Sequence, residues 1–369
     1  MVSKRVSEAI WIESKGYWQI KVQRDGVRRA FTSAIKGRKG KHAAENKADE
    51  WLAKGTDDMR FPAAWEQFLE DQKLRTGTAN YQKHEVAGRL RILPAIGSVK
   101  LSSITPNDWQ RCIDKGAKDG LSRRSCKNIE GSISAFIHYA ERNRWTVNRL
   151  LPGELKIPNS AAPKKPKKIL QPDDVRTLFT QDQILKSGRY VRAHYIYAWR
   201  FLVVTGLRRG ELAGLRREDI EGQLLTIRRS INAFQEETYG KNDNARRTIV
   251  LSPIALDILA DQRRHLKDLG LASPWVFPDE YGERAVPTSI YDRWRFYCNQ
   301  HGFKTSIHEL RHTFVSLNKS LPVEAMKAYV GHSTSMDTYG IYGHDVDGEA
   351  RRTATIVGNT FDVILNSKK

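Results

Sequence analysis

The sequence predicts a multidomain protein. It has a small three-stranded β-sheet plus helix at the N-terminus, then an all-α domain, then a mainly α domain with a small β-sheet. Three observations carry that prediction. Residues 9–35 hold three short strand-forming runs separated by Gly-containing turns. From residue 61 to about 155, apolar residues recur at helical spacing. A Pro- and Lys-rich stretch, 158–168, then precedes a second half in which apolar helical runs alternate with short β-branched ones. At 369 residues the chain is long enough for two or three domains, and the boundaries fall at 1–56, 57–157, 158–169 and 170–369.

Ala9-Ile10-Trp11-Ile12 and Tyr17-Trp18-Gln19-Ile20-Lys21-Val22 read as strands, with Lys15-Gly16 between them. Arg24-Asp25-Gly26 is a hairpin turn signal, and 27–35 is the third strand. Residues 41–54 read as a helix with Ala44, Ala48, Trp51 and Leu52 on one side. Lys21, Arg24, Arg28, Arg29, Lys36 and Arg38 are interleaved with these runs. A three-stranded sheet with a basic face can enter the DNA major groove, which makes these six candidate DNA contacts. The alternative is a solvated basic hairpin that reads no sequence.

Phe61, Trp65, Phe68 and Leu69 mark the first helix of the next domain, and 81–93 a second, closed by Pro94. Thr105-Pro106 is a start signal, a cap followed by proline at the first helical position. Ile129, Ile133, Phe136, Ile137 and Ala140 mark a long helix from about Ser122. These stripes are core. Arg123, Arg124, Lys127, Arg142 and Arg144, each taken alone, are ordinary surface charges. The stretch PNSAAPKKPKK reads as an extended linker, because proline blocks helix and sheet and the lysines repel one another. Lys164, Lys165 and Lys167 suit a strap lying along phosphates.

In the last domain, Pro172-Asp173-Asp174 opens a helix with acids in its first turn. Residues 191–204 read as the central helix, Gly206 as its break, and 207–215 as its resumption. Residues 224–227 and 248–251 read as strands flanking a loop that holds Lys241. Ser252-Pro253 starts a further helix. Near the end, 349–356 reads as a helix and 361–365 as an apolar, strand-like run.

The chain carries 62 Lys+Arg against 42 Asp+Glu, a net charge of +20. A surplus of this size points to a polyanion, nucleic acid foremost. Cys112, Cys126 and Cys298 are scattered and odd in number. They suggest no disulfide framework and a reducing compartment, the cytoplasm. The first residues lack an apolar core of signal-peptide length, and no apolar run of about 20 residues occurs, so no membrane partner is expected.

The chemistry concentrates in residues 306–344. His308 and Arg311 stand three positions apart, on one face of a helix. Gly331-His332 follows, then Tyr342 within Thr338-x-x-x-Tyr342-x-His344. A phenol is a poor nucleophile at neutral pH because its pKa is near ~10. It becomes competent when cations stabilise the phenolate or the oxyanion it attacks. Further cations lie upstream, Arg208 and Arg209 in Thr205-Gly206-Leu207-Arg208-Arg209-Gly210-Glu211-Leu212, and Lys241.

In this order the segments resemble the tyrosine recombinases, the phage- and transposon-type integrases. The family pattern runs T-G-x-R-x-x-E-L, a hairpin lysine, H-x-L-R-H-T, G-H-S and T-x-x-x-Y-x-H, and this chain carries each in turn. The resemblance covers the C-terminal half fully and the N-terminal half more loosely. Each motif alone is weak; the ordered set is highly specific. It implies the tyrosine recombinase fold, with an arm-type DNA-binding domain in 1–56, a helical core-binding domain in 57–157 whose Arg123, Arg124, Lys127, Arg142 and Arg144 would contact phosphates, a basic linker, and a catalytic domain in 170–369. The tail of that domain would pass to a neighbouring protomer and mediate assembly, the alternative being that it packs on its own domain.

The resemblance further implies site-specific recombination of double-stranded DNA, integrating or excising a mobile element. Arg208 and Arg311 would hold the non-bridging oxygens of a phosphodiester. Lys241 would protonate the leaving 5′-oxygen, and His308 and His332 would bond the phosphate. Glu211 would orient an arginine or serve the fold, the latter being favoured. Tyr342, ten positions beyond His332, fits the pattern of the nucleophile; Tyr339 does not. A homotetramer on DNA core and arm sites would exchange strands through a 3′-phosphotyrosine and a Holliday junction. Accessory DNA-bending or directionality proteins are possible partners, a nucleoid-associated cytoplasmic location fits, and no cofactor or metal is needed. A type IB topoisomerase shares the chemistry but not the small N-terminal module.

One motif supports a rival of another class. His308-Glu309-Leu310-Arg311-His312 matches the H-E-x-x-H zinc-peptidase pattern. That pattern is short, and zinc explains neither the net charge nor Arg208, Lys241 and Tyr342.

Overall fold

The structure is a computed structural model that describes residues 7–24, 27–53, 59–163, 167–238, 246–331 and 348–367. The chain divides into two compact units, Met1–Lys165 and Pro166–Lys369.

In the first unit, strands β1 (Ile10–Ile12), β2 (Tyr17–Arg24) and β3 (Val27–Ser33) form an antiparallel sheet in that order, packed on helix α1 (Arg38–Ala53). The register pairs Ile20 with Phe31 and Val22 with Arg29, and Ile20 and Val22 are buried with Ala44, Ala48, Trp51 and Leu52 of α1. The opposite face carries Lys21, paired with Ala30, and Arg28, paired with Gln23. Strand side chains alternate, so Arg29 falls on the α1 face, its guanidinium 5.7 Å from the centre of the Phe31 ring. Arg29 therefore does not share the open basic face with Lys21 and Arg28. Asp25 and Gly26 lie outside the described residues.

Helices α2 (Phe61–Arg75), α3 (Thr78–Ala87), α4 (Leu93–Ile96), α5 (Pro106–Lys118) and α6 (Arg123–Arg142) bury a second core. Phe61, Trp65, Phe68, Trp109 and Phe136 meet there with ring centroids 5.1 to 6.0 Å apart. Two details differ from the sequence expectation. Pro94 does not close the second helix. A π-helical turn, Gly88–Ile92, joins α3 to α4, and Pro94 sits in the first turn of α4. A Cβ on Gly88 would lie 2.2 Å from the Trp65 indole nitrogen, so only glycine fits there. Nor does helix continue to 155. It stops at Arg142, where Arg144 takes a φ of 57° and Trp145 N–H donates to Ala140 O at 2.9 Å, a Schellman ending.

His84 of α3 is buried and shares a 3.0 Å hydrogen bond with Ser132 of α6. Burial first, then Lys83, pushes its pKa down to about 4 from 6.5. The unfolded chain therefore takes up a proton between those values that the folded chain refuses. The stability present above pH 6.5 is lost progressively as pH falls towards 4. Denaturant midpoints measured from pH 7.5 downward are expected to fall through this window. His84→Gln is expected to flatten the slope; an unchanged slope would place the acid sensitivity elsewhere.

The predicted linker is anchored at its start. Ala162 forms a parallel bridge beside Ser122, accepting from Arg123 N and donating to Leu121 O, both at 3.0 Å. Lys164 and Lys165 lie outside the described residues. Lys167 and Lys168 are tied within the second unit, where Lys167 Nζ meets His312 Nε2 and Lys168 N donates to Glu309 at 2.8 Å.

The second unit runs α7 (Pro172–Thr180), the hairpin β4 (Gln183–Lys186) and β5 (Arg189–Arg192), α8 (Ile196–Thr205) and α9 (Arg209–Ala213). Five short strands follow, β6 (Ile220–Glu221), β7 (Leu224–Ile227), β8 (Ser230–Ile231), β9 (Glu237–Thr238) and β10 (Arg247–Val250). Helices α10 (Pro253–Asp268), α11 (Pro287–His301), α12 (Ile307–Leu317), α13 (Val323–Val330) and α14 (Glu349–Asn366) complete it. Every residue of α8 is buried, against α10 and α12 among others. β7 lies between β6 and β10 in one antiparallel sheet. Val191 belongs to β5 rather than to the central helix, because Ser187 and Gly188 turn the chain with positive φ. The 361–365 run is helical, not strand-like. It continues the stripe of Ala354, Val357 and Phe361 on α14, which packs on α7 and α10 of its own domain. Among the described residues, no helix is long and apolar enough to cross a membrane.

Candidate active site

The site is built where α8 stops. Gly206 takes a φ of 65°, and a Cβ there would lie 2.5 Å from Phe314 Cδ1 of α12. Backbone and ring thus touch, and the chain turns sharply into Arg208, the N-cap of α9. Glu211, three residues on, accepts from Arg208 N at 2.8 Å and from Arg208 Nη1 at 2.7 Å. Arg208 Nη2 donates to Gly331 O at 2.9 Å. Arg209 turns away, its guanidinium 5.7 Å from the centre of the Tyr291 ring. The structure therefore separates the two adjacent arginines.

Arg311 rises from α12 on the other side of the break. It is 3% exposed, and its Nη1 donates to Gly206 O at 2.9 Å. Its Nη2 has no acceptor among the described residues. Burial and then the Arg208 charge hold its pKa down to about 10, with Glu211 opposing and Arg247 adding to the repulsion. A buried, unpaired donor ordinarily costs about 1–3 kcal/mol. An incoming anion would supply both the acceptor and the missing countercharge. His308 stands one turn earlier on α12 and is exposed, its ring 5.0 Å from that of His312. Partial desolvation, then His312, Lys167, Arg311 and Arg208, lower its pKa. At neutral pH its imidazole is uncharged and can give or take a hydrogen bond.

Arg247 is the residue the sequence did not single out. Its side chain is 8% exposed and pairs with Glu211, which is 4% exposed. Nη1 and Nη2 reach the two carboxylate oxygens at 3.2 and 3.0 Å, and Nε donates to Tyr329 O at 2.8 Å. Desolvation would raise the Glu211 pKa, but Arg247 and Arg208 together bring it below the ordinary value. A signal existed in the alternation of β10, where Thr248 is exposed and Ile249 buried, so position 247 points inward. A charge at an inward position calls for a partner. Glu211 therefore both orients arginines and holds the fold.

Lys241, His332, Tyr339, Tyr342 and His344 lie outside the described residues. The structure thus brings together Arg208, Arg311 and His308 of the six expected catalytic residues. Gly331, which directly precedes His332, closes α13 at the Arg208 guanidinium. In the first unit, Arg123, Arg124 and Lys127 share the exposed N-terminal end of α6, and Lys36 and Arg38 are exposed at the start of α1. The zinc alternative loses its base. Glu309 caps α12, accepting from Ser306 N at 2.6 Å, and also accepts from Lys168 N. No cluster of three metal-binding side chains occurs among the described residues.

The phage integrase family model matches residues 168–349, and the phage integrase N-terminal SAM-like domain matches residues 60–116. The chain belongs to the phage integrase family. Its activity is site-specific DNA recombination of the tyrosine recombinase type. It is 22% identical over 291 residues to the tyrosine recombinase XerC-like protein of Caldanaerobacter subterraneus, covering 71% of this chain and 73% of the relative. It is 26% identical to the tyrosine recombinase XerA of Pyrococcus furiosus, covering 65% and 76%. In fold it is similar to the Tn1549 transposon integrase, with a TM-score of 0.61 and 19% identity, covering 78% of this chain and 97% of that one. It is also similar to lambda integrase, solved as a tetramer on a Holliday junction, with a TM-score of 0.59 and 14% identity, covering 94% and 99%. The integrase fold thus extends over nearly the whole chain.

Proposed function

We propose that this integrase cuts DNA by attack of the Tyr342 hydroxyl on a phosphodiester. The Tyr342 oxygen forms a bond to phosphorus as the bond to the 5′-oxygen breaks. The 3′-end becomes a phosphotyrosine, the phenolic proton passes to a neighbouring base, and Lys241 protonates the departing 5′-oxygen. Arg208 and Arg311 hold the non-bridging oxygens, and His308 and His332 bond the same phosphate. A second 5′-hydroxyl reverses the step, so strands exchange without net hydrolysis and without cofactor or metal.

The observation that carries this reading is the arginine pair at the α8–α9 break. One guanidinium is held by Glu211, and the other is buried with a donor to spare among the described residues. Such a site binds a tetrahedral anion and stabilises it further as charge grows. The protein would act as a homotetramer on duplex DNA, through a Holliday junction such as the one lambda integrase is seen to bind. Residues 1–56 would hold arm sites through Lys21, Arg24, Arg28, Lys36 and Arg38. Residues 57–157 would grip core sites through Arg123, Arg124 and Lys127, with Lys164, Lys165 and Lys167 in the linker. A cytoplasmic, nucleoid-associated location follows, and the tail assembles protomers if α14 exchanges.

The test is a core-site duplex nicked next to the cleavage position, incubated with the full chain in EDTA. A covalent adduct is expected on a denaturing gel, with the phosphate assigned by fragmentation to Tyr342 and not to Tyr339 of the same tryptic peptide. A requirement for divalent metal, or phosphate on another residue, would overturn the mechanism.

A further inference from the structure

Arg247 ties together three separate stretches of the catalytic domain. It lies in the first position of β10, directly after the segment that holds Lys241. Its Nη atoms grip Glu211, and Glu211 grips Arg208. Its Nε bonds Tyr329 O, two residues before the carbonyl of Gly331 that Arg208 itself bonds. The contacts close a ring from Arg208 through Glu211, Arg247 and the end of α13 back to Arg208. On one side of that ring the chain continues to His332 and Tyr342, and on the other it has come from Lys241.

We infer that Arg247 is a positioning residue for strand cleavage, setting the Arg208 guanidinium and the exit of α13 in one fixed relation. Its role is indirect. The guanidinium grips the buried Glu211 carboxylate and a backbone carbonyl, and it acts through them. Without it, Glu211 has one guanidinium in place of two. Arg208 is then drawn towards the carboxylate, and the last turn of α13 loses its tie to the sheet. Reacting groups displaced by about 1 Å lose roughly 100-fold in rate. Lysine cannot replace the arginine fully, because a single ammonium cannot span two carboxylate oxygens and a carbonyl at once.

This inference rests on the cleavage mechanism proposed above, and the experiment keeps the two apart. Single-turnover cleavage of the nicked core site and equilibrium affinity for an intact core site are measured for wild type, Arg247→Lys, Arg247→Met, Glu211→Gln and the Arg247→Met/Glu211→Gln double variant. Arg247→Met is expected to cut roughly 100-fold more slowly with affinity nearly unchanged, and Arg247→Lys to fall between it and wild type. The double variant is expected to be no slower than Arg247→Met, because the pair acts as one unit. Should Arg247→Met not fold, the Arg247→Lys rate and affinity decide. Near wild-type cleavage by a folded variant, a loss of affinity that matches the loss of rate, or multiplicative effects in the double variant would each overturn the inference. Failure of the mechanism itself would show differently, as an adduct on a residue other than Tyr342 in the wild-type chain.

Discussion

Tyr342→Phe is expected to form no covalent adduct with the nicked core site, while its affinity for intact core DNA stays that of wild type. The substitution removes one oxygen and keeps the ring, so packing is preserved and only the nucleophile is lost. Duplex affinity rests on many phosphate contacts spread over basic surface, to which one phenol adds little. The five cations and imidazoles proposed around the phosphate serve a nucleophile, and without it they can only bind. Tyr339→Phe, three residues earlier, is expected to form the adduct normally. An adduct that persists in Tyr342→Phe and vanishes in Tyr339→Phe would move the nucleophile to Tyr339. Loss in both would make one of the two hydroxyls a supporting group rather than the nucleophile.

The site was legible because its chemistry is written as short local patterns. Thr205 to Leu212 needs glycine at 206 for a reason the structure makes plain, since the Phe314 ring occupies the space a side chain would take. His308 and Arg311 need only helical spacing to share a face. Arg247 escaped notice because its meaning depends on partners far away in sequence, Glu211 and Tyr329. The same holds for the fold. The sheet of the first unit and the aromatic stripes of α2 and α6 follow from period two and period 3.6. The β4–β5 hairpin was hidden because Val191 and the residues after it form one apolar run, which periodicity cannot divide between strand and helix. The π turn at Gly88 depends on an indole from another helix, and the helical ending of α14 on the α7 and α10 surfaces it covers.

Arg311→Lys is expected to lower single-turnover cleavage by roughly 10²–10³-fold, the loss typical of one transition-state donor. The positive charge survives this change, so the loss isolates geometry. Arg311 uses Nη1 on Gly206 O, which leaves Nη2, two bonds away across a rigid planar group, free among the described residues for a phosphate oxygen. A lysine ammonium can satisfy the carbonyl or the phosphate, and its shorter, rounder head cannot hold both in fixed register. The fold is expected to survive. Gly206 O keeps a donor within reach, Phe314 still packs on Gly206, and one buried positive charge replaces another. Thermal unfolding and core-site affinity close to wild type would establish that the variant is intact. Cleavage at the wild-type rate in that intact variant would show that charge alone suffices at this position, and that the forked contact plays no part in the step.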